Sequence, residues 1–204
     1  MRLGIPGLLA AALLLAGPLN AQPPGVQSLA SEQEMELSAR QEATAIRRAA
    51  GLEWRGDLDG AENVLTSLLA SKPNSTGALF ALERVSRSRD RLHQVLPYAD
   101  AYLEAEPGSG GIRALKLRVL AEVDSVSALR PEVDAWVNQV PGSEEPWREA
   151  ARIWEEVFGM AAAEDLLREA REELDDDGAL AVEIGVLHAE AGDAPGAIAE
   201  WAVA

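Results

Sequence analysis

Three prolines set the period of this chain. Pro73, Pro107 and Pro141 stand 34 residues apart, each at the foot of a helix-forming stretch. A proline disfavours helix in the residue before it, so each closes a segment at the same phase. Self-similarity at a fixed period of this size marks a repeat architecture, in which no unit buries its apolar face alone. Composition points the same way. The 204 residues are 48% hydrophobic and 25% charged, and Ala, Leu and Glu, all strong helix formers, are abundant.

The stretch Gly56 to Pro73, GDLDGAENVLTSLLASKP, shows one unit most fully. Gly56-Asp57 closes one helix and opens the next, Ala61 is small, and Leu65 and Leu68 face inward. Counted from Glu42, units of 34 fall at 42–75, 76–109, 110–143, 144–177 and 178–204, the last seven residues short. Their inward residues are Ala49 and Leu52, then Leu79, Leu82, Tyr102 and Leu103, then Leu115, Val119, Leu120 and Val123, with Trp136-Val137 before Pro141. Trp147, Ala151, Trp154, Ala163, Leu167 and Ala170 mark the fourth unit. Ile184-Gly185, His188, Ala197, Trp201 and Ala204 mark the fifth.

This register resembles the tetratricopeptide repeat family over nearly the whole chain beyond the N-terminal segment. The resemblance implies an all-α fold, a right-handed superhelical solenoid of antiparallel helix pairs, with Ala61 where the two helices of its unit touch. It also implies a concave surface lined by the first helices, which in the family holds extended peptides or partner helices. Units two and three depart from the pattern. Glu83 and Leu117 replace the small residue of the first helix, and Val95 and Leu129 replace its alanine partner. Asp90 and Asp124 stand where the turn glycine belongs. Pro97 and Pro131 sit early in the second helices, so those helices are expected to start late and pack less closely.

The N-terminus has a separate character. Met1-Arg2 is a short positive region, Leu8 to Ala16 is apolar, and Gly17-Pro18 breaks the run before Leu19-Asn20-Ala21. This is signal-peptide anatomy, and the apolar run is too short to span a bilayer comfortably. Residues 1–21 are therefore assigned to a signal peptide, 22–30 to an extended linker and 31–204 to the solenoid. Ser31 and Glu34 fit a capping box at the start of a first helix running through Trp54-Arg55.

The formal net charge of −16 argues against nucleic acid or anionic lipid as a bulk partner. With no cysteine, disulfides, thiolate metal sites and cysteine nucleophiles are excluded. His93 and His188 lie nearly three units apart, and His188 takes a core-facing position. Asp175-Asp176-Asp177-Gly178 lacks the alternating ligands of a calcium loop and reads as a solvated turn. Carboxylate pairs such as Glu144-Glu145 and Glu155-Glu156 read as solvated faces. No catalytic constellation, metal site or cofactor motif emerges.

One pattern stands out. Arg84, Arg118 and Arg152 repeat at 34 residues on the first helices. By the resemblance they face the groove, joined by Arg87 and Arg148. They could bind an acidic segment or a chain-terminal carboxylate, or each could pair with a glutamate on a neighbouring helix, Glu122 and Glu155-Glu156 being candidates. The sequence points to an exported, periplasmic or extracellular scaffold that binds a peptide or partner protein and is not an enzyme. It touches no membrane once its signal is removed. Two alternatives stand beside it: the helical recognition arm of a longer exported enzyme, and an oligomer assembled through an open solenoid end. Ala197, Ile198, Trp201 and Ala204 face a side with nothing to cover it, and the array is expected to continue beyond residue 204. The N-terminal anatomy predicts a mature chain beginning at Gln22. Mass spectrometry of protein from the native host checks this, and a dominant species starting at Met1 or Arg2 contradicts it.

Overall fold

A computed structural model describes residues 24–204, with side-chain surroundings from residue 35 onward. The assigned signal peptide lies outside the described residues. The chain divides into two units, residues 1–39 and 40–204. In the first, the described part is the N-terminal half of helix α1 (Pro24–Trp54), where Met35 and Leu37 are exposed. Helix thus begins at Pro24, and residues 24–30 are not the extended linker the sequence suggested. The reason is local: a proline at a helix start has its φ preset and no amide hydrogen left unpaired, and Leu29-Ala30 then favour helix.

The second unit continues through nine more helices. They are α2 (Leu58–Ser71), α3 (Thr76–Arg87), α4 (Leu96–Ala105), α5 (Gly110–Glu122), α6 (Leu129–Gln139), α7 (Glu145–Phe158), α8 (Met160–Leu174), α9 (Ala181–Glu190) and α10 (Ala194–Trp201). No strand occurs among the described residues. Helices α3, α5 and α7 begin at or within one residue of the unit starts counted from the sequence, and Pro73, Pro107 and Pro141 all fall in the turns between units.

The turns explain the register. Gly56 and Gly192 take φ near +80° between the paired helices, and the Asp57 carboxylate accepts from the Gly60 amide at 2.9 Å to cap α2. In units two and three the same left-handed turn is made by Asp90 and Asp124, each at φ 56°. Aspartate tolerates this region better than most residues. Both second helices do start late: 3-10 turns at Leu92–Val95 and Val126–Ala128 precede α4 and α6. They are nevertheless closed, since Val95 and Leu129 are fully buried. At Glu83 the large side chain is half-buried and pairs with Arg87 at 2.5 Å.

Ala61, Leu65 and Leu69 form the buried stripe of α2, four residues apart, while Leu68 sits half-buried beside it. Ala49 and Ala61, Ala151 and Ala163, and Gly185 and Ala197 are all buried, as the helix-pair contact requires. Two apolar clusters result. One is built from α1 to α4 with Ile112, Leu115 and Val119 of α5. The other takes Ala114, Leu117 and Leu120 of α5 with α6 to α9.

Three tryptophans follow the inward reading and one departs from it. Trp136 and Trp147 are buried, and Trp154 is half-buried with its ring 5.5 Å from that of Phe158. Trp201 is 46% exposed. One side of its indole lies over Gly185, where a β-carbon would collide with it, and its N–H donates to the Val182 carbonyl at 3.4 Å. The other side meets solvent. Ile198 and Ala204, also expected on that uncovered side, are exposed as well.

Nothing in the repeat pattern signals the buried charge between α4, α5 and α6. Arg113 is 5% exposed and donates to the Pro107 carbonyl and to Glu132, each at 3.3 Å, and to Gln139 at 2.5 Å. Lys116 pairs with Glu132 and, at 2.8 Å, with Asp100. Burial works against the Lys116 charge, but the two carboxylates outweigh it and raise its pKa.

Trp147 carries a clean stability test, because its buried indole N–H has no partner. Trp147→Phe forfeits no hydrogen bond, whereas Trp147→Ala opens a cavity costing about 3–5 kcal/mol. Denaturant unfolding should rank the phenylalanine variant far closer to wild type. Equal losses for the two would contradict this packing.

Candidate functional site

Because the units keep phase, their first helices present equivalent residues in rows. Phe80, Ala114, Arg148 and Val182 form one row; Arg84, Arg118, Arg152 and Val186 form the next. Phe80 is 38% exposed and Val182 and Val186 are 54% and 43% exposed, so the face is apolar as well as charged.

The arginines do not share one environment. Arg84 makes a two-pronged contact with Glu53 of α1, at 2.8 and 2.6 Å. Arg87 joins Glu83 on its own helix and Glu122 on α5. Arg148 bridges Glu144 at 2.7 Å and Glu183 of α9. These three therefore tie successive first helices together. Arg152 touches only Glu149, one turn earlier at 3.1 Å, and its side chain is 68% exposed. Arg118 is exposed and forms no ion pair or side-chain hydrogen bond with the described residues.

Between α7 and α9 this face deepens into a groove of about 340 Å³. Ala151, Leu167 and Leu187 form its floor, and Val182 and Val186 its wall. Arg148 stands at one end beside Glu183 and Glu155 at the other beside Glu190, with Arg152 between them on α7. Glu155 is not the solvated surface acid that its sequence suggested. Burial, then the neighbouring Glu190 and Glu156, push its carboxyl above the ordinary range. The valine wall was not singled out in the sequence, although Val182 and Val186 lie 34 residues beyond Arg148 and Arg152. Glu155-Glu156, candidate arginine partners by sequence, form no ion pair with the described residues.

The remaining candidates stay structural. His188 lies between Asp193, 2.8 Å from its Nδ1, and Glu164, 3.5 Å from its Nε2, linking α8, α9 and the cap of α10. His93 is exposed in the turn before α4. Asp175 takes the left-handed position that ends α8, and Asp176 accepts from the Gly178 amide at 2.9 Å, as a turn does. Among the described residues no three His, Asp or Glu side chains gather as a metal site would need, and no helix is long and apolar enough to cross a membrane.

No protein-family model matches the chain, and no curated protein matches it. Solved structures do. MamA from Desulfovibrio magneticus RS-1 is 14% identical with a TM-score of 0.44, covering 79% of this chain and 92% of that one. PilF of Pseudomonas aeruginosa is 13% identical at 0.49, with 81% and 76% covered. A thermophilic TPR protein of Thermus thermophilus is 16% identical at 0.44, with 79% and 88% covered. In this chain itself, helix pairs recur in a 34-residue phase, and three of the five meet at small residues. The fold is of the tetratricopeptide type.

Two glutamates of the site have opposite pH signatures. Arg84 holds Glu53 below its ordinary 4.5, so the stability it contributes is present above that value and lost as pH falls through the folded-state pKa. Glu155, whose pKa is raised, is less favourable to the fold once ionised. At neutral pH, Glu53→Gln should lower the melting temperature and Glu155→Gln raise it slightly, each by an amount within the roughly 1 kcal/mol of exposed pairs. Thermal melts from pH 3 to 7 check the signs, and shifts in the same direction at pH 7 would refute the assignment.

Proposed function

We propose that the protein is an exported scaffold that binds a segment of another protein along the face of its first helices. The observation that carries this reading is the groove between α7 and α9, with exposed valines beside a largely free arginine. Apolar surface gives affinity there and the guanidinium groups give orientation. Phe80 and Arg118 extend the same chemistry toward α3 and α5. Export is supported by Arg2, the apolar Leu8 to Ala16 stretch and the break at Gly17-Pro18. In this reading Arg118 and Arg152 meet the ligand, while Arg84, Arg87 and Arg148 hold the helices in phase and lend positive potential.

The arginine ladder is tested with a fluorescein-labelled acidic peptide. Its binding should weaken with salt, since charge–charge attraction across an exposed groove is screened. Arg84, Arg118 and Arg152 changed together to alanine should abolish that binding and keep helical circular dichroism, because the pairs removed are exposed and individually worth about 0–1 kcal/mol. Unchanged binding by the folded triple variant would refute the groove, and loss of helix would show the arginines to be structural.

A further inference from the structure

We infer that the α7–α9 groove takes a protein segment of mixed charge: an acidic group at Arg152, apolar side chains over the valines that face it, and a basic group at the Glu155–Glu190 end. This rests on the groove reading above and narrows its ligand from an acidic segment to a bipolar one.

The groove has a direction. Arg148, Arg152 and Glu155 follow one another along one face of α7, and Val182, Val186 and Glu190 do so along α9. At 1.5 Å per residue, Arg148 to Arg152 rises roughly 6 Å and Arg152 to Glu155 roughly 4.5 Å more, so the open guanidinium and the acidic end lie about one helical turn apart. At one end Arg148 is already held by Glu144 and Glu183. Arg152, with only Glu149 beside it, is the guanidinium open to an acidic group. Across from the two arginines, at the same levels of α9, Val182 and Val186 stand exposed above the buried Leu167 and Leu187, a surface suited to apolar side chains.

The far end is where a wholly acidic ligand fails. Glu155 and Glu190 lie together with Glu156 beside them, and no described cation pairs with either. Both also belong to the last turns of their helices, where the backbone dipole already disfavours negative charge. Burial and like-charge repulsion therefore oppose the Glu155 carboxylate, and helix polarity opposes both it and Glu190. A lysine or arginine from a ligand offsets these with an opposite charge, whereas an aspartate there adds a further repulsion.

The test uses three labelled peptides of equal length with blocked ends. Each has a valine–leucine pair, flanked by aspartate and lysine, by two aspartates, or by two lysines. Fluorescence anisotropy should show the mixed peptide binding at least about tenfold tighter than either other, as one extra charged hydrogen bond implies. In E155Q/E190Q, which keeps shape and removes repulsion, the advantage of the mixed peptide over the doubly acidic one should disappear. Equal or tighter binding of the doubly acidic peptide to wild type, or an advantage that survives E155Q/E190Q, overturns the bipolar assignment and leaves the arginine groove standing. If V186E binds the mixed peptide as wild type does, or wild type binds none of the three, the groove reading falls with it.

Discussion

How closely the two helices of a unit approach governs the rest of this structure. Helix axes pack 8–10 Å apart according to the side chains at the crossing. Where both are small, as at Ala49 and Ala61 or Ala151 and Ala163, the second helix follows a one- to three-residue turn and runs 14 or 15 residues. Where the crossing holds Val95 or Leu129, the chain makes a 3-10 turn first, and the helix that follows has only 10 or 11 residues. Pro97 and Pro131 then fall within a first turn, where no helical hydrogen bond is lost. Helix length, proline placement and the 3-10 turns are thus one effect seen in three places.

The units are joined differently inside and out. Inside, apolar clusters run on from one unit to the next. On the face of the first helices, Arg84 with Glu53, Arg87 with Glu122 and Arg148 with Glu183 bridge neighbouring helices. Exposed pairs of this kind add little stability each, but they fix which guanidinium groups are spoken for. Arg118 and Arg152 are left as the available cations because the matching places hold no glutamate. The place 31 residues earlier, where Glu53 stands to Arg84, holds Arg87 on α3 and Ala121 on α5. The place 35 residues later, where Glu183 stands to Arg148, holds Ile153 on α7 and Leu187 on α9.

Most of the fold could be read from the sequence because its period is enforced by backbone chemistry. Glycine or aspartate must occupy the left-handed turn, and Asp90 and Asp124 betrayed that turn without a glycine. The start of α1 was less legible, since Pro24 suits a helix start as well as a linker. Leu68 and Leu69 were indistinguishable by hydrophobicity alone, and the stripe through Ala61 and Leu65 decides between them. The site was half legible. Spacing aligned the arginines, but a one-dimensional phase does not reveal their partners. Burial of Glu155 depends on α9, one unit further along. Arg113 was missed because it occupies a place where Leu79 and Trp147 are apolar, and only the fold shows Glu132 and Gln139 waiting for it.

Helix α5 is the one element among the described residues that gives buried side chains to both apolar clusters. Ile112, Leu115 and Val119 turn one way, Ala114, Leu117 and Leu120 the other. In a linear array, coupling passes only between neighbours. Cooperativity between the two ends therefore passes chiefly through this helix, with Leu96 of α4, packed against both clusters, beside it. If α5 frays, each half loses part of its own interior as well as its link to the other, and a ligand held at α7 and α9 stabilises the first two units only to the extent that α5 stays in place.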